Sequence, residues 1–75
     1  MGKHYRDQEY LNRVGAKLVH IRGEKNISQE EFSELTQIDT RQIGRIERAE
    51  SNASISMLKL FADKLGVKII DILDV

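Results

Sequence analysis

Two helix-start signatures lie eleven residues apart, and they constrain the fold of this chain more than any other feature. In the first, Ser28 is a favoured N-cap residue and Glu31 follows three residues later, so each side chain can bond the other's backbone N–H. In the second, Asp39 precedes Gln42 at the same separation. The first of these two short helices, from Ser28 to about Leu35, has room for only about two turns. The sequence therefore predicts a short helix, a tight turn and a second helix.

Apolar residues at three- and four-residue spacing predict further helices on both sides of this pair. Helix one extends from Asp7 to about Glu24 and ends near Asn26, a residue that tolerates left-handed backbone. Helix four begins after the cap Ser54 and ends at Gly66, and a last turn covers residues 69–73. We expect an all-α protein whose buried residues are Leu11, Val14, Leu18, Ile21, Phe32, Leu35, Ile38, Ile43, Ile46, Ile55, Leu58, Phe61, Ala62 and Leu65.

The composition excludes several classes of protein. The chain has 75 residues, enough for one small domain, and it contains no cysteine and therefore no disulfide or thiolate metal site. His4 and His20 lie too far apart to form a local metal pair, and no nucleophile motif accompanies them, so we expect neither catalysis, metal nor cofactor. No apolar run approaches the roughly 20 residues of a membrane span, and we expect no signal peptide. A cytoplasmic protein without membrane contact is expected.

Charge is unevenly distributed along the chain. The formal net charge is zero, which counts mildly against a simple basic nucleic-acid binder. Residues 1–27 carry six bases and three acids, whereas residues 28–50 carry three bases and six acids. The acids Glu30, Glu31 and Glu34 belong mostly to the first short helix, where their negative charges interact favourably with its positive N-terminal end. We expect them to face away from any phosphate backbone.

The second short helix has a polar face that is the candidate functional surface. With Ile43 and Ile46 facing inward, the helical period places the other face outward. The planar guanidinium groups of arginines on such a face can donate paired hydrogen bonds to guanine edges and phosphates, and a glycine permits DNA to approach the helix closely. An ordinary solvated face is the alternative for any single arginine. The outward residues are Thr40, Arg41, Gly44, Arg45 and Arg48.

Several segments at matching separations resemble one known family. They are Ile27-Ser28-Gln29-Glu30-Glu31-Phe32, then Ile38, then Gln42-Ile43-Gly44-Arg45-Ile46-Glu47, and finally Leu65-Gly66-Val67 with Ile72-Leu73. Together they resemble the lambda-repressor-like (Cro and XRE type) helix-turn-helix domain over roughly residues 10 to 74. The resemblance implies a compact five-helix bundle that binds operator DNA as a two-fold dimer. We accordingly divide the chain into residues 1–9, a flexible N-terminal arm and the start of helix one, and residues 10–75, the helix-turn-helix domain.

The resemblance also implies roles for individual residues. Thr40, Arg41, Gly44 and Arg45 match positions that read bases or lie near the groove. The family positions that contact phosphate, or support such contacts, are matched by Arg22, Ser28, Gln29, Arg48 and Asn52. The resemblance also implies that Gln29 braces the second short helix, which is the recognition helix of the family. Arg22 matches an arginine that pairs with the glutamate at Glu47, and we favour this structural role for it.

Some residues depart from the family pattern. Gln37 and Ala49 stand where glycine is common, and Ala53 stands where proline is common. Asp39 replaces a frequent serine or threonine at the start of the recognition helix. A carboxylate near the DNA backbone is repelled unless it points inward or accepts a hydrogen bond from the amino group of a base. We therefore expect Asp39 to act as a helix cap.

A single small domain reads few base pairs, so we expect a homodimer on two half-sites about 10 base pairs apart. Its interface is placed at the carboxy-terminal third, at Ile70 and Val75, although Ile70 could equally complete the core.

These observations predict a sequence-specific DNA-binding transcriptional regulator, most simply a dimeric repressor on an inverted-repeat operator. The alternative is a protein-interaction module, such as an antitoxin whose main role is to bind a partner protein, because a fold alone does not fix a function. A toxin or RNA polymerase are the protein partners considered, the latter at the acidic residues of the first short helix.

Overall fold

The computed structural model describes residues 5–75, which form five α-helices without any strand. The helices are α1 (Gln8–Glu24), α2 (Gln29–Thr36), α3 (Thr40–Glu47), α4 (Ile55–Leu65) and α5 (Ile69–Leu73). The predicted all-α, five-helix fold is thereby confirmed. Residues 1–4, which hold His4 and much of the predicted N-terminal arm, lie outside the described residues.

Most of the predicted helix caps are present. Ser28 Oγ accepts the Glu31 backbone N–H at 3.0 Å, and the Glu31 carboxylate accepts the Ser28 N–H at 2.8 Å, which completes the first capping box. Ser54 caps α4, and Gly66 ends it in left-handed backbone with a φ of 73°. These local signals were readable because each involves residues only a few positions apart.

The second capping box is wrong in one part. Asp39 does cap α3, but its carboxylate accepts the N–H of Arg41, and the Gln42 side chain does not accept the Asp39 backbone N–H. Instead the Gln42 amide donates to Ser51 Oγ at 3.3 Å, across the loop that follows α3. Spacing alone does not reveal that competing partner, which lies nine residues away.

A single core holds the five helices together. Phe32 of α2 and Phe61 of α4 meet edge to face with ring centroids 5.0 Å apart, a favoured aromatic geometry. Around them lie the other buried apolar residues, Val14, Leu18, Ile21, Ile43, Ile46, Leu58, Ala62, Leu65 and Ile72. The amphipathic pattern of the helices therefore predicted most of this core.

Two predicted core residues are exposed. Leu35 is 46% exposed and Ile55 is 75% exposed. In the short α2, Phe32 and Thr36 occupy the inward positions one turn apart, which leaves Leu35 at the edge of the buried face. Ile55 is the first residue of α4 and borders an apolar groove that is open to solvent. Burial near a helix end depends on what packs beside it, which periodicity does not report.

Three non-glycine residues adopt left-handed backbone at the helix junctions: Asn26, Gln37 and Ala49, with φ of 57°, 62° and 61°. Asn26 follows α1, where this conformation was predicted. Gln37 and Ala49 occupy two of the positions at which relatives often have glycine. The backbone conformation explains that preference, since side chains other than glycine and asparagine adopt it at a cost.

The position of α3 is fixed by a close approach to α1. At Gly15 of α1, an ideal Cβ would lie 2.4 Å from the carbonyl oxygen of Glu47 in α3. Only glycine fits such a contact between two helix backbones. Gly15 carries no signal of this role in the sequence, although it determines how far α3 stands from the rest of the molecule.

Candidate nucleic-acid interface

The outward face of α3 is the candidate interface. Ile43 and Ile46 are buried in the core, and the helical period turns the polar residues away from them. Arg41 and Arg45 are exposed, and Thr40 is half-buried at the start of the helix. The structure thus brings these predicted base-reading residues onto one short, rigid surface.

Gly44 differs from the other residues predicted for this face, because it is buried. The guanidinium of Arg48 lies over it, and an ideal Cβ at Gly44 would come within 2.8 Å of Arg48 Nη1. The gap left by the missing side chain is therefore occupied by the arginine one turn later. Close approach of another molecule to Gly44 requires Arg48 to move first.

Asp39 and Arg41 form an ion pair at the amino end of α3. The Asp39 carboxylate accepts the backbone N–H of Arg41 at 2.8 Å and the Nε and Nη2 groups of its side chain at 3.4 and 3.3 Å. Both side chains are exposed. The Arg41 hydrogen bonds lower the pKa of Asp39 below its ordinary value of 3.8, so this carboxylate is charged at neutral pH.

Arg48 and Glu50 form a similar pair at the other end of α3. Arg48 Nε and Nη2 donate to the two Glu50 carboxylate oxygens at 2.9 and 3.3 Å. The hydrogen bond from Arg48 lowers the pKa of Glu50 below its ordinary value of 4.5. Between the two pairs, Arg45 forms no ion pair with any residue in the range 5–75. Neither carboxylate was predicted to be an arginine partner, since residues two apart do not face each other on a helix.

A buried polar cluster attaches α3 to α1 and α2. Arg22 donates from Nε and Nη2 to the Glu47 carboxylate at 2.8 and 3.0 Å, and from Nη1 to the Ile27 carbonyl at 2.8 Å. Gln29 donates to the same Glu47 carboxylate at 2.8 Å. The Arg22 and Glu47 side chains are only 14% and 4% exposed. Arg22 is thus directed inward, and Gln29 links the amino end of α2 to the carboxyl end of α3.

The remaining residues predicted to touch phosphate lie at the edges of this surface. Ser28 is exposed next to Gln29, with its hydroxyl oxygen accepting the capping N–H of Glu31. Asn52 is exposed in the loop between α3 and α4. Both have polar atoms available to solvent.

The loop after α3 is held by the amino-terminal segment, a contact the sequence did not suggest. The Ala49 carbonyl accepts hydrogen bonds from Arg6 Nη2 at 2.7 Å and from Gln8 Nε2 at 2.9 Å. The two donors come from residues more than 40 positions earlier in the chain. No local pattern carries such a contact.

The residues predicted for a dimer interface lie on the carboxy-terminal segment. Ile70 of α5 is 56% exposed and Val75 is 38% exposed. The alternative that Ile70 completes the core is therefore wrong for the single chain. α5 packs against α1 and α4, with Ile72 as its fully buried residue.

Membrane-spanning helices and clustered metal ligands are both absent from the described part of the chain. No helix there is long and apolar enough to cross a membrane. The same residues contain no group of three or more His, Cys, Asp and Glu side chains placed to hold a metal ion.

Comparison with known proteins relates the sequence to the helix-turn-helix family and the fold to regulators of that kind. The model of the helix-turn-helix family matches residues 19–72, well over half of the chain. The restriction-modification controller protein C.AhdI from Aeromonas hydrophila is 27% identical, with a TM-score of 0.80 over 83% of this chain and 94% of that one. NHTF, a hypothetical transcription factor from Neisseria, is also 27% identical, with a TM-score of 0.79 over 97% of this chain and 85% of that one.

A third solved structure shares the fold at lower identity. It is a transcriptional regulator from Vibrio cholerae, 23% identical, with a TM-score of 0.85 over 92% of this chain and 39% of that protein. No curated protein matches the chain in sequence.

Proposed function

This chain belongs to the helix-turn-helix family, and from that premise we propose that it regulates transcription by reading an operator through the outward face of α3. One observation carries the proposal: Arg41 and Arg45 of α3 and its C-cap Arg48 are exposed, and the opposite face of this short helix is buried in the core. Arginine forks are suited to guanine edges and phosphates. A rigid support matters because base reading depends on placing those forks accurately.

Within this surface, Arg41 and Arg45 are the base-reading residues we propose, with Thr40 beside them. Arg45 is exposed and has no ion pair among the described residues, so its donors are available to a base edge. Gly44 belongs to the same group only if Arg48 swings away from it, which a phosphate contact by Arg48 would bring about.

Phosphate contacts are assigned to the residues around the edge of this surface. Arg48, Ser28, Gln29 and Asn52 present polar groups there, and such contacts orient a protein on the duplex without reading sequence. For Arg22 we propose the structural role, because its guanidinium already donates to Glu47 and to the Ile27 carbonyl.

We further propose that the protein binds as a homodimer to an inverted repeat and represses transcription by covering a promoter. Exposed Ile70 and Val75 supply apolar surface for self-association on the carboxy-terminal segment. The likeness to a controller protein and to a hypothetical transcription factor, each over most of its length, supports a regulatory role of this kind.

Selection of bound duplexes from a randomised library, at near-physiological salt, tests the proposal. The wild-type chain should enrich an inverted repeat, and Arg41→Ala and Arg45→Ala should each lose preference at defined positions of it. A folded wild-type protein that enriches no sequence would refute the proposal and point instead to a protein partner. Thermal unfolding of each variant establishes that the protein remains folded.

A further inference from the structure

The Arg41 guanidinium has two hydrogen-bonding edges, and in this structure they are in different situations. Asp39 accepts from the edge formed by Nε and Nη2. The other edge consists of Nη1 and the second N–H of Nη2; Nη1 bonds to no residue in the described part of the chain, and the Arg41 side chain is exposed to solvent. An arginine reads guanine by donating two hydrogen bonds from one edge to N7 and O6. The edge that Asp39 leaves free is able to make that contact.

We propose that Asp39 is a positioning residue for guanine recognition, which holds one edge of Arg41 so that the other edge is presented to guanine N7 and O6. This inference rests on the proposed function, since it concerns how the same α3 surface selects its sequence. It assigns Asp39 a second role beside that of helix cap.

Asp39 is suited to this role because it is itself anchored. Its carboxylate caps α3 by accepting the Arg41 backbone N–H at 2.8 Å, so the acceptor moves with the helix and not with a mobile loop. The pair is exposed on both sides, and exposed ion pairs contribute little to stability. Stability therefore gives no sufficient reason for this pair, whereas orientation of a long side chain does.

The arrangement also accounts for a carboxylate on a surface that must approach phosphates. An unpaired aspartate there would repel DNA. Paired with Arg41, its charge is balanced, and the guanidinium loses less rotamer freedom on binding because one edge is already held. Fixing a long side chain at an interface costs about 0.5–1.5 kcal/mol, which corresponds to about 2- to 12-fold in binding.

Glu50 provides a matched comparison at the other end of α3. It holds the same Nε and Nη2 edge of Arg48 at 2.9 and 3.3 Å. Arg48 is proposed to contact phosphate, which every sequence presents equally. Removing the Glu50 charge should therefore change affinity in parallel for all duplexes, without changing the preference for any base.

The experiment measures binding of the duplex enriched by the wild-type chain and of duplexes with each guanine replaced in turn. Fluorescence anisotropy at fixed salt gives the discrimination ratio at each position. The proteins are wild type, Asp39→Asn, Arg41→Ala, the double variant and Glu50→Gln. Asparagine caps a helix as well as aspartate does, and Asp39→Ser, another good cap, replaces it if Asp39→Asn does not fold.

We expect Arg41→Ala to lose discrimination of about 5- to 150-fold at one guanine, the range of a bidentate arginine contact. Asp39→Asn should lose about 2- to 12-fold at the same guanine. In the Arg41→Ala background, Asp39→Asn should have no further effect, because Asp39 acts only through Arg41. If Asp39 were only a helix cap, Asp39→Asn would leave the discrimination ratio unaltered, because asparagine supplies the same cap.

Three results would overturn the inference. One is full discrimination in Asp39→Asn when Arg41→Ala has lost it, and another is an equal loss of that discrimination in Glu50→Gln. The third is an effect of Asp39→Asn that persists without Arg41, which would make Asp39 a base contact in its own right. Failure of the wild type to enrich any duplex would refute the proposed function as well, so the two failures are distinguishable.

Discussion

The close approach of α1 to α3 makes Gly15→Ala the substitution with the most sharply defined effect. The new Cβ would lie 2.4 Å from the Glu47 carbonyl oxygen and 3.0 Å from that of Ile46. These are backbone atoms, so the helices must separate by about 1 Å to restore ordinary contact. Overpacking costs about 1–3 kcal/mol, and the better helix propensity of alanine returns about 1 kcal/mol. Because neither backbone can rotate away, we take the upper end, a net loss of about 2 kcal/mol.

Gly23→Ala in the same helix is the matched control. Nothing lies within 4 Å of an ideal Cβ at Gly23, so only the propensity gain remains, reduced to about 0.5 kcal/mol near the helix end. Urea unfolding followed by circular dichroism, at one protein concentration, should give opposite shifts in midpoint for the two variants with unchanged slope. For a domain of this size a loss of about 2 kcal/mol lowers Tm by about 8–16 °C. Equal stability of Gly15→Ala and Gly23→Ala would refute the reasoning.

Three further predictions concern charge and assembly. Glu47→Ala strands a buried guanidinium and should lower the free energy of unfolding by about 3–5 kcal/mol, whereas Asp63→Ala, in an exposed pair, should change it by less than about 1 kcal/mol in the same urea experiment; similar losses would contradict the difference in burial. By NMR the Asp39 carboxyl should titrate below 3.8, and its pKa should rise in Arg41→Ala. A lowered pKa in the folded state stabilises the fold at pH values above the pKa of the unfolded state, and this contribution should disappear as the pH falls through the pKa of the folded state. An unchanged titration in the variant would remove Arg41 as the cause. Ile70→Asp should weaken self-association in sedimentation, and an unchanged dimer constant would remove Ile70 from the interface.

The elements that depend on neighbouring residues were predictable from the sequence. Ser28 with Glu31, the cap at Ser54 and the left-handed end at Gly66 each involve contacts over a few positions, and all three are present. The apolar period likewise located most of the core. These features follow from local geometry that the chain carries wherever it is placed.

The features that depend on distant neighbours were not predictable in the same way. In the sequence, Gly15 is only a residue of low helix propensity within a predicted helix. Its role is visible only in the packed structure, where the backbone of α3 lies against it. The bonds from Arg6 and Gln8 to the Ala49 carbonyl join opposite ends of the first two thirds of the chain. Exposure of Ile55 depends on what covers the start of α4. Each is determined by packing between segments, not by spacing within one.

The candidate site shows the same division. The outward face of α3 followed from its period, and the resemblance to a known family suggested the Arg22 and Glu47 partnership. The hydrogen bonds from Arg41 to Asp39 and from Arg48 to Glu50 could not be predicted from the helical period. Each carboxylate lies at or just beyond a helix end, where that period no longer applies.

The central claim is that α3 is the surface that meets DNA, and amide chemical shifts of the labelled protein on addition of the enriched duplex test it most directly. We predict that the largest shifts occur from Asp39 to Arg48 and at Gln29, with α5 affected much less. Shifts that concentrate on α4 and α5 while α3 remains unchanged would contradict the account.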